Sequence, residues 1–308
     1  RLQTLIVPME RKWDGRTRGG SFGYLFFIRF IEIFGLGPAY FFLCLVVPYF
    51  VVFAPAQTRS TFVYSRRILH YSVLRSVFFV FRSYYALGRS LIDRLAVGMG
   101  MQDRFVYDIE NHSVMLDLVR SDRGGIVIGG HTGAWQMGAP FLGEYGKKLN
   151  VVMYDNEHTD IKEIINRHTG GAGFNVIPIT DGDISYMFGI TSALGKGEVV
   201  CFQGDRYING SQVLRGEFMG VEALFPKGPF LVASKLGVPV VFYFAMRDRA
   251  RRCHLYFFTP EMMLAREYGV AEEEYLFRAY TAALEYIVRK YPDQWFNYYD
   301  FWDLYSGR

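Results

Sequence analysis

The sequence predicts an α/β protein, with one domain on a mixed sheet preceded by a helical segment that anchors it in a membrane. Three observations predict it. From Gly124 onward, short β-branched and aromatic runs alternate with helix-length stretches. A run without any charged residue extends from Ile33 to Thr58. Between Arg59 and Arg94, seven arginines stand against a single acid, Asp93. These features divide the chain into 1–95 (lead-in, apolar anchor and a basic amphipathic helix) and 96–308 (the α/β domain).

Composition narrows the class further. The 308 residues are 51% hydrophobic, with a mean hydropathy of +0.08. That is apolar for a soluble enzyme and too polar for a polytopic transporter. Phe, Tyr and Trp make up 18%, a density that suits the lipid headgroup region or a ring-filled core. A net charge of +4 gives no indication of a nucleic-acid partner. Cys44, Cys201 and Cys253 have no metal-ligand spacing and no disulfide framework, which fits a reducing, cytoplasmic setting.

Residues 1–20 are polar and rich in Gly and Arg, and read as a lead-in. The charge-free run that follows is long enough for a bilayer core, which takes about 20 apolar residues as a helix. Pro38, Pro48 and Pro55 interrupt it, so a kinked span or a re-entrant helical hairpin is expected rather than a straight helix. A buried core helix is the competing reading. Arg75, Arg82 and Arg89 then recur every seven residues among aromatic side chains. This is a basic stripe for anionic headgroups, or the solvated face of a helix packed on the domain.

Within the second region, Ile126–Ile128, Val151–Met153, Val176–Pro178, Val199–Phe202, Val240–Phe244 and Leu255–Phe258 read as strands. Helices are expected over Met137–Lys147, Ile161–His168, Ile184–Leu194, Gly228–Leu236 and Glu272–Lys290. Such a sheet carries its chemistry where strands run into helix N-termini.

A histidine oriented by a carboxylate can deprotonate an attacking hydroxyl or amine, and a common arrangement is His with Asp or Glu five positions later. The literal pattern occurs at His112…Asp117 and His158…Glu163, but context favours His131, which has Gln136 at that spacing. His131 follows a buried-type strand and the pair Gly129-Gly130, which lets the backbone approach a ligand closely, and Gly133 helps to expose the turn. The helix expected after it offers backbone N–H groups to a developing oxyanion.

The block Gly129-Gly130-His131-Thr132-Gly133-Ala134-Trp135-Gln136 resembles the catalytic block of the bacterial lipid A late acyltransferase family, within the glycerolipid acyltransferase superfamily. Three further stretches resemble that family in order: Gly197 to Arg206, Phe218 to Phe230, and Tyr291-Pro292-Asp293-Gln294-Trp295-Phe296. The resemblance implies an inner-membrane enzyme on the cytoplasmic face. It would transfer an acyl chain from acyl carrier protein or coenzyme A to a membrane lipid acceptor, with no metal or prosthetic group. It implies His131 as base and Gln136 in the place of the family's acid. Thr132, Gly133, Arg206 and Lys227 fall on the substrate side, and Asp205 is a substrate-side or structural polar residue of the active cleft. Arg206 is open to two readings, a phosphate contact or a surface pair with Asp205. The chain departs from the family at Gln136, and in having no arginine from Thr169 to Asp205. A coenzyme-A-dependent lysophospholipid acyltransferase and a non-catalytic lipid- or carrier-binding membrane protein are the alternatives. Last, Arg247-Asp248-Arg249-Ala250-Arg251-Arg252 reads as a basic loop that docks the acidic carrier, or as a solvated hairpin tip.

Overall fold

The computed structural model describes residues 5–6, 20–138, 145–154, 174–179, 184–208 and 210–304. A short strand β1 (Leu5–Ile6) pairs with a hairpin of β7 (Gln212–Phe218) and β8 (Val221–Pro226) in a small antiparallel sheet. The main sheet is made of β2 (Val106–Glu110), β3 (Gly125–Gly129), β4 (Leu149–Tyr154), β5 (Asn175–Ile179), β6 (Val199–Gln203), β9 (Val240–Arg247) and β10 (Arg252–Phe258). Its order is β2–β10–β9–β3–β6–β4–β5. Five neighbours from β9 to β5 run parallel, and β10 with β2 runs opposite to them, so the sheet is mixed as expected.

All five residues of β3 are buried, because both faces of the central strands are covered. Ile126 and Ile128 join Phe242, Phe244, Leu276 and Tyr280 in one apolar cluster, whereas Val127 joins Val241, Met115 and Leu118 in another. The alternation follows the two-residue period of a strand. The first face lies under α8 (Glu272–Lys290), the second under α5 (His112–Arg120).

All six sequence-expected strands form, as do α6 (Tyr186–Gly195), α7 (Gly228–Leu236) and α8. The strands that sequence missed have weak signals. β2 is an edge strand with mixed burial. The β7–β8 hairpin turns at Met219-Gly220, both with positive φ, without the Asn or Asp that marks such turns. The expected helix Met137–Lys147 does not form in its described part, where Trp135–Gly138 is a 3₁₀ turn and Tyr145-Gly146 a further turn. The expected helix Ile161–His168, and His158 with Glu163, lie outside the described residues.

At the N-terminal side, α1 (Gly20–Phe34) and α2 (Leu36–Phe53) are separated by Gly35 at φ 79°. Phe42 of α2 meets Phe26 and Phe30 of α1 at 5.3 and 5.4 Å, so the pair is a helical hairpin. Pro48 stays inside α2 without ending it; the break comes at Ala54, before α3 (Pro55–Arg67). α2 turns only Leu36, Ala39, Leu43 and Val47 inward and leaves Phe41, Leu45, Val52 and Phe53 exposed, so it is not a buried core helix. Its inward side packs on α4 (Val73–Gly98), where a Cβ at Gly88 would meet Leu43 at 2.4 Å. α4 crosses the 95/96 division and shares a cluster with Ala134 and Met137 of the domain. Two arginines of the expected stripe clip α4 to that domain: Arg82 pairs with Asp293 at 2.9 Å, and Arg89 donates to the Arg247 carbonyl.

Candidate active site

β3 and β6 are parallel neighbours with Gly129 opposite Gln203, so the chain leaves both strands at the same end. His131 comes two residues after one strand and Asp205 two residues after the other. Their side chains meet: His131 Nδ1 lies 2.7 Å from Asp205 Oδ1. The backbone N–H of His131 and the indole N–H of Trp295 both donate to Asp205 Oδ2, at 2.8 and 3.1 Å. Asp205 is buried, while the His131 side chain keeps 30% of its surface open. With Nδ1–H donating to the carboxylate, Nε2 is left as the basic nitrogen. Nε2 takes no hydrogen bond among the described residues.

The electrostatics follow from this packing. Burial pushes the Asp205 carboxyl upward, but the His131 imidazole, its hydrogen bonds and the Arg206 cation outweigh burial and bring it down to about 2. His131 is held below its ordinary value, first by burial and then by Arg206, with Asp205 opposing both. The pair is a neutral base on an ionised carboxylate at neutral pH.

The turn that carries His131 is held on three sides. Tyr280 donates to the Gly129 carbonyl at 2.7 Å. Gly133 has φ +51° and lies so close to β9 that a Cβ there would meet the Ala245 carbonyl at 2.0 Å. The C-terminal segment lies alongside: Gly133 N–H donates to Gln294 O, Phe296 N–H donates to His131 O, and Thr132 pairs with Trp295. Two expectations change as a result. The glycines admit close approach, but at Gly130 the neighbours are Tyr280, Leu284 and Asp205 of the protein itself. The backbone N–H groups of His131, Thr132, Gly133 and Ala134 are all spent, on Asp205, Gly130, Gln294 and Ala245. These four groups are not available to an oxyanion.

Gln136 makes no hydrogen bond to His131; the carboxylate that His131 Nδ1 meets is that of Asp205. The cause is local: beyond the left-handed Gly133 the chain enters a 3₁₀ turn rather than a helix, and Nδ1 is already taken. Arg206 donates to the Phe296 carbonyl beside the pair, a setting unlike a solvated surface pair. Lys227 meets Glu273 at 3.6 Å. His112 and Asp117, the decoy pattern, are both exposed on α5. Sequence reasoning placed Asp205 and Trp295 in separate motifs; nothing in their spacing, 74 and 164 residues beyond His131, signalled that they converge.

A family model for bacterial lipid A biosynthesis acyltransferases matches residues 90–302, which include His131, Asp205 and Trp295. The chain belongs to this family. It is an acyltransferase of lipid A biosynthesis that acts on a membrane lipid acceptor. No curated protein matches the sequence. The family match begins inside α4 and ends with Trp302, so the α1–α2 hairpin precedes the matched region.

Proposed function

We propose that this lipid A biosynthesis acyltransferase moves a fatty acyl chain from a thioester to a hydroxyl or amine of its lipid acceptor, with His131 as general base and Asp205 as the acid that orients it. The thioester is borne by acyl carrier protein or coenzyme A. The observation that carries the proposal is the 2.7 Å contact between His131 Nδ1 and buried Asp205, with the imidazole still partly open.

In this reaction the acceptor O–H or N–H meets His131 Nε2, which takes its proton as the oxygen or nitrogen attacks the thioester carbonyl. Asp205 stabilises the imidazolium that forms and fixes its tautomer. The tetrahedral oxyanion needs a donor that the N–H groups of residues 131–134 do not supply, and the Arg206 guanidinium beside the pair is the charge suited to it. Collapse breaks the C–S bond, and the departing thiolate takes the proton back from His131. Thr132, Gly133 and Lys227 remain proposed substrate-side residues. Gln136 is not assigned the acid's part.

The same reading puts the α1–α2 hairpin in the inner membrane from its cytoplasmic face. α2 has 18 residues with a mean hydropathy of 2.1, about 27 Å of helix. Val77 and Phe78 of α4 are exposed as well. Mass spectrometry of lipids from cells expressing the wild-type chain or His131→Ala tests the proposal. One added acyl chain that disappears with His131→Ala is expected; identical lipid profiles for the two chains point to a non-catalytic binding protein instead.

A further inference from the structure

We propose that Gln294 and Trp295 are positioning residues for acyl transfer, acting through Asp205 and the His131 turn. The inference rests on the dyad reading above. Gln294 is buried, and its amide closes on one residue at the end of β9: Oε1 accepts from the Arg247 N–H at 2.9 Å and Nε2 donates to the Arg247 carbonyl at 2.6 Å. Only a side chain with donor and acceptor on the same end can make both bonds. Arg247 is itself fixed, because its Nε donates to buried Asp93 at 2.6 Å.

From that fixed point the backbone runs straight along the catalytic turn. The Gln294 carbonyl takes the Gly133 N–H, Trp295 pairs with Thr132, and Phe296 N–H reaches the His131 carbonyl. The indole of Trp295 is boxed by Tyr64, Phe218, Phe301 and Trp302, with ring centroids 5.1 to 5.5 Å away. Its N–H therefore reaches Asp205 Oδ2 from a fixed direction. Without it, that oxygen keeps, among the described residues, only the His131 N–H, and the carboxylate loses one of its three hydrogen bonds. The imidazole inherits the looseness, since Nδ1 is oriented by the other oxygen of the same carboxylate.

Trp302 supplies the control. It belongs to the same ring cluster, and its indole N–H also donates at 3.1 Å, but to the Phe218 carbonyl. Trp295→Phe and Trp302→Phe thus delete equivalent donors from one cluster, and only the first touches Asp205. In the full-length protein in lipid bilayers, Trp295→Phe is expected to lower kcat about tenfold, the scale of one charged hydrogen bond, with KM for the thioester unchanged. Gln294→Leu is expected to act in the same direction. Trp302→Phe should leave kcat as it is. A readout independent of turnover is the NMR titration of the His131 imidazole, assigned by its loss in His131→Ala. Trp295→Phe should move that titration upward, because Asp205 with one donor fewer attracts the imidazole proton more strongly, and Trp302→Phe should not move it. Equal kcat losses in the two Trp variants, or an unmoved His131 titration in Trp295→Phe, would overturn the inference. Undiminished turnover in His131→Ala would sink the dyad reading alone, since the titration shift still reports on positioning.

Discussion

Replacing Asp205 by Asn removes one charge and almost no volume, so its effects can be worked from the contacts in hand. The amide cannot accept on both oxygens as the carboxylate does from His131 N–H, His131 Nδ1 and Trp295 Nε1. It neither holds the Nδ1–H tautomer nor stabilises the imidazolium. The corresponding amide-for-acid change in the catalytic triad of serine proteases costs about 10⁴ in rate, or about 5 kcal/mol of barrier. The same order is expected here in kcat/KM for acyl transfer. The pH dependence should respond in a defined direction. His131 already titrates below its ordinary value through burial and Arg206, with Asp205 as the opposing influence. The acid limb of the wild-type profile therefore lies below pH 6.5, and Asp205→Asn should move it lower still. Stability has its own signature. The Asp205 carboxyl is depressed from 3.8 to about 2, so it stabilises the fold by about 2 kcal/mol above about pH 4, a contribution lost as pH falls from there towards about 2. His131, also depressed, loses stabilisation in the same sense as pH falls below 6.5. The assay is initial-rate transfer from a purified thioester across acid to mildly alkaline pH, with thermal unfolding alongside. A kcat/KM within about tenfold of wild type, or an acid limb that moves upward, would show that Asp205 does not serve His131 in this way.

Four other outcomes follow from the same contacts. Gln136→Glu should change kcat/KM less than about threefold, about 0.6 kcal/mol, because His131 already has its carboxylate; a gain of orders of magnitude in the same assay would return the acid's part to position 136. Asp93→Ala strands Arg247 in the interior and should cost about 3–5 kcal/mol in thermal or denaturant unfolding, whereas Asp93→Leu with Arg247→Met should recover most of it. Leu45→Asp, on the exposed side of α2, should weaken membrane retention in extraction assays by about 3 kcal/mol of insertion energy while leaving the fold intact; deleting the hairpin is a poorer test, since it uncovers the α4 residues that pack on Leu43. Reversing Arg249 and Arg251 to Glu should slow transfer from acyl carrier protein at low salt and not from a small thioester, with the difference fading as the Debye length falls below about 8 Å.

The arginine loop shows what sequence alone could and could not say. Its placement between two strands was legible, and β9 and β10 do meet there, at the same sheet end as His131. Its charges were not: Arg247 is buried on Asp93 and Arg252 pairs with Asp108, leaving Arg249 and Arg251 exposed. The single acid among the arginines of α4 looked like an exception in a basic stripe, yet Asp93 is the counterion that β9 needs. Strands with β-branched runs, and helices with clear periodicity such as Glu272–Lys290, were readable because burial sets their pattern locally. The partner of His131 was not, because Asp205 reaches it only when β3 and β6 become neighbours. A spacing rule pointed instead to Gln136, and no local pattern records that Gly133 turns the chain away before residue 136.

General-base catalysis by His131 is tested most closely by single-turnover transfer from an acyl thioester to a lipid A precursor in bilayers, comparing the wild-type chain with His131→Ala. Acylated product is expected from the wild type, and a rate lower by about 10²–10⁴ for His131→Ala, the range for losing a general base, with thioester binding retained. Equal rates for the two proteins would contradict that role.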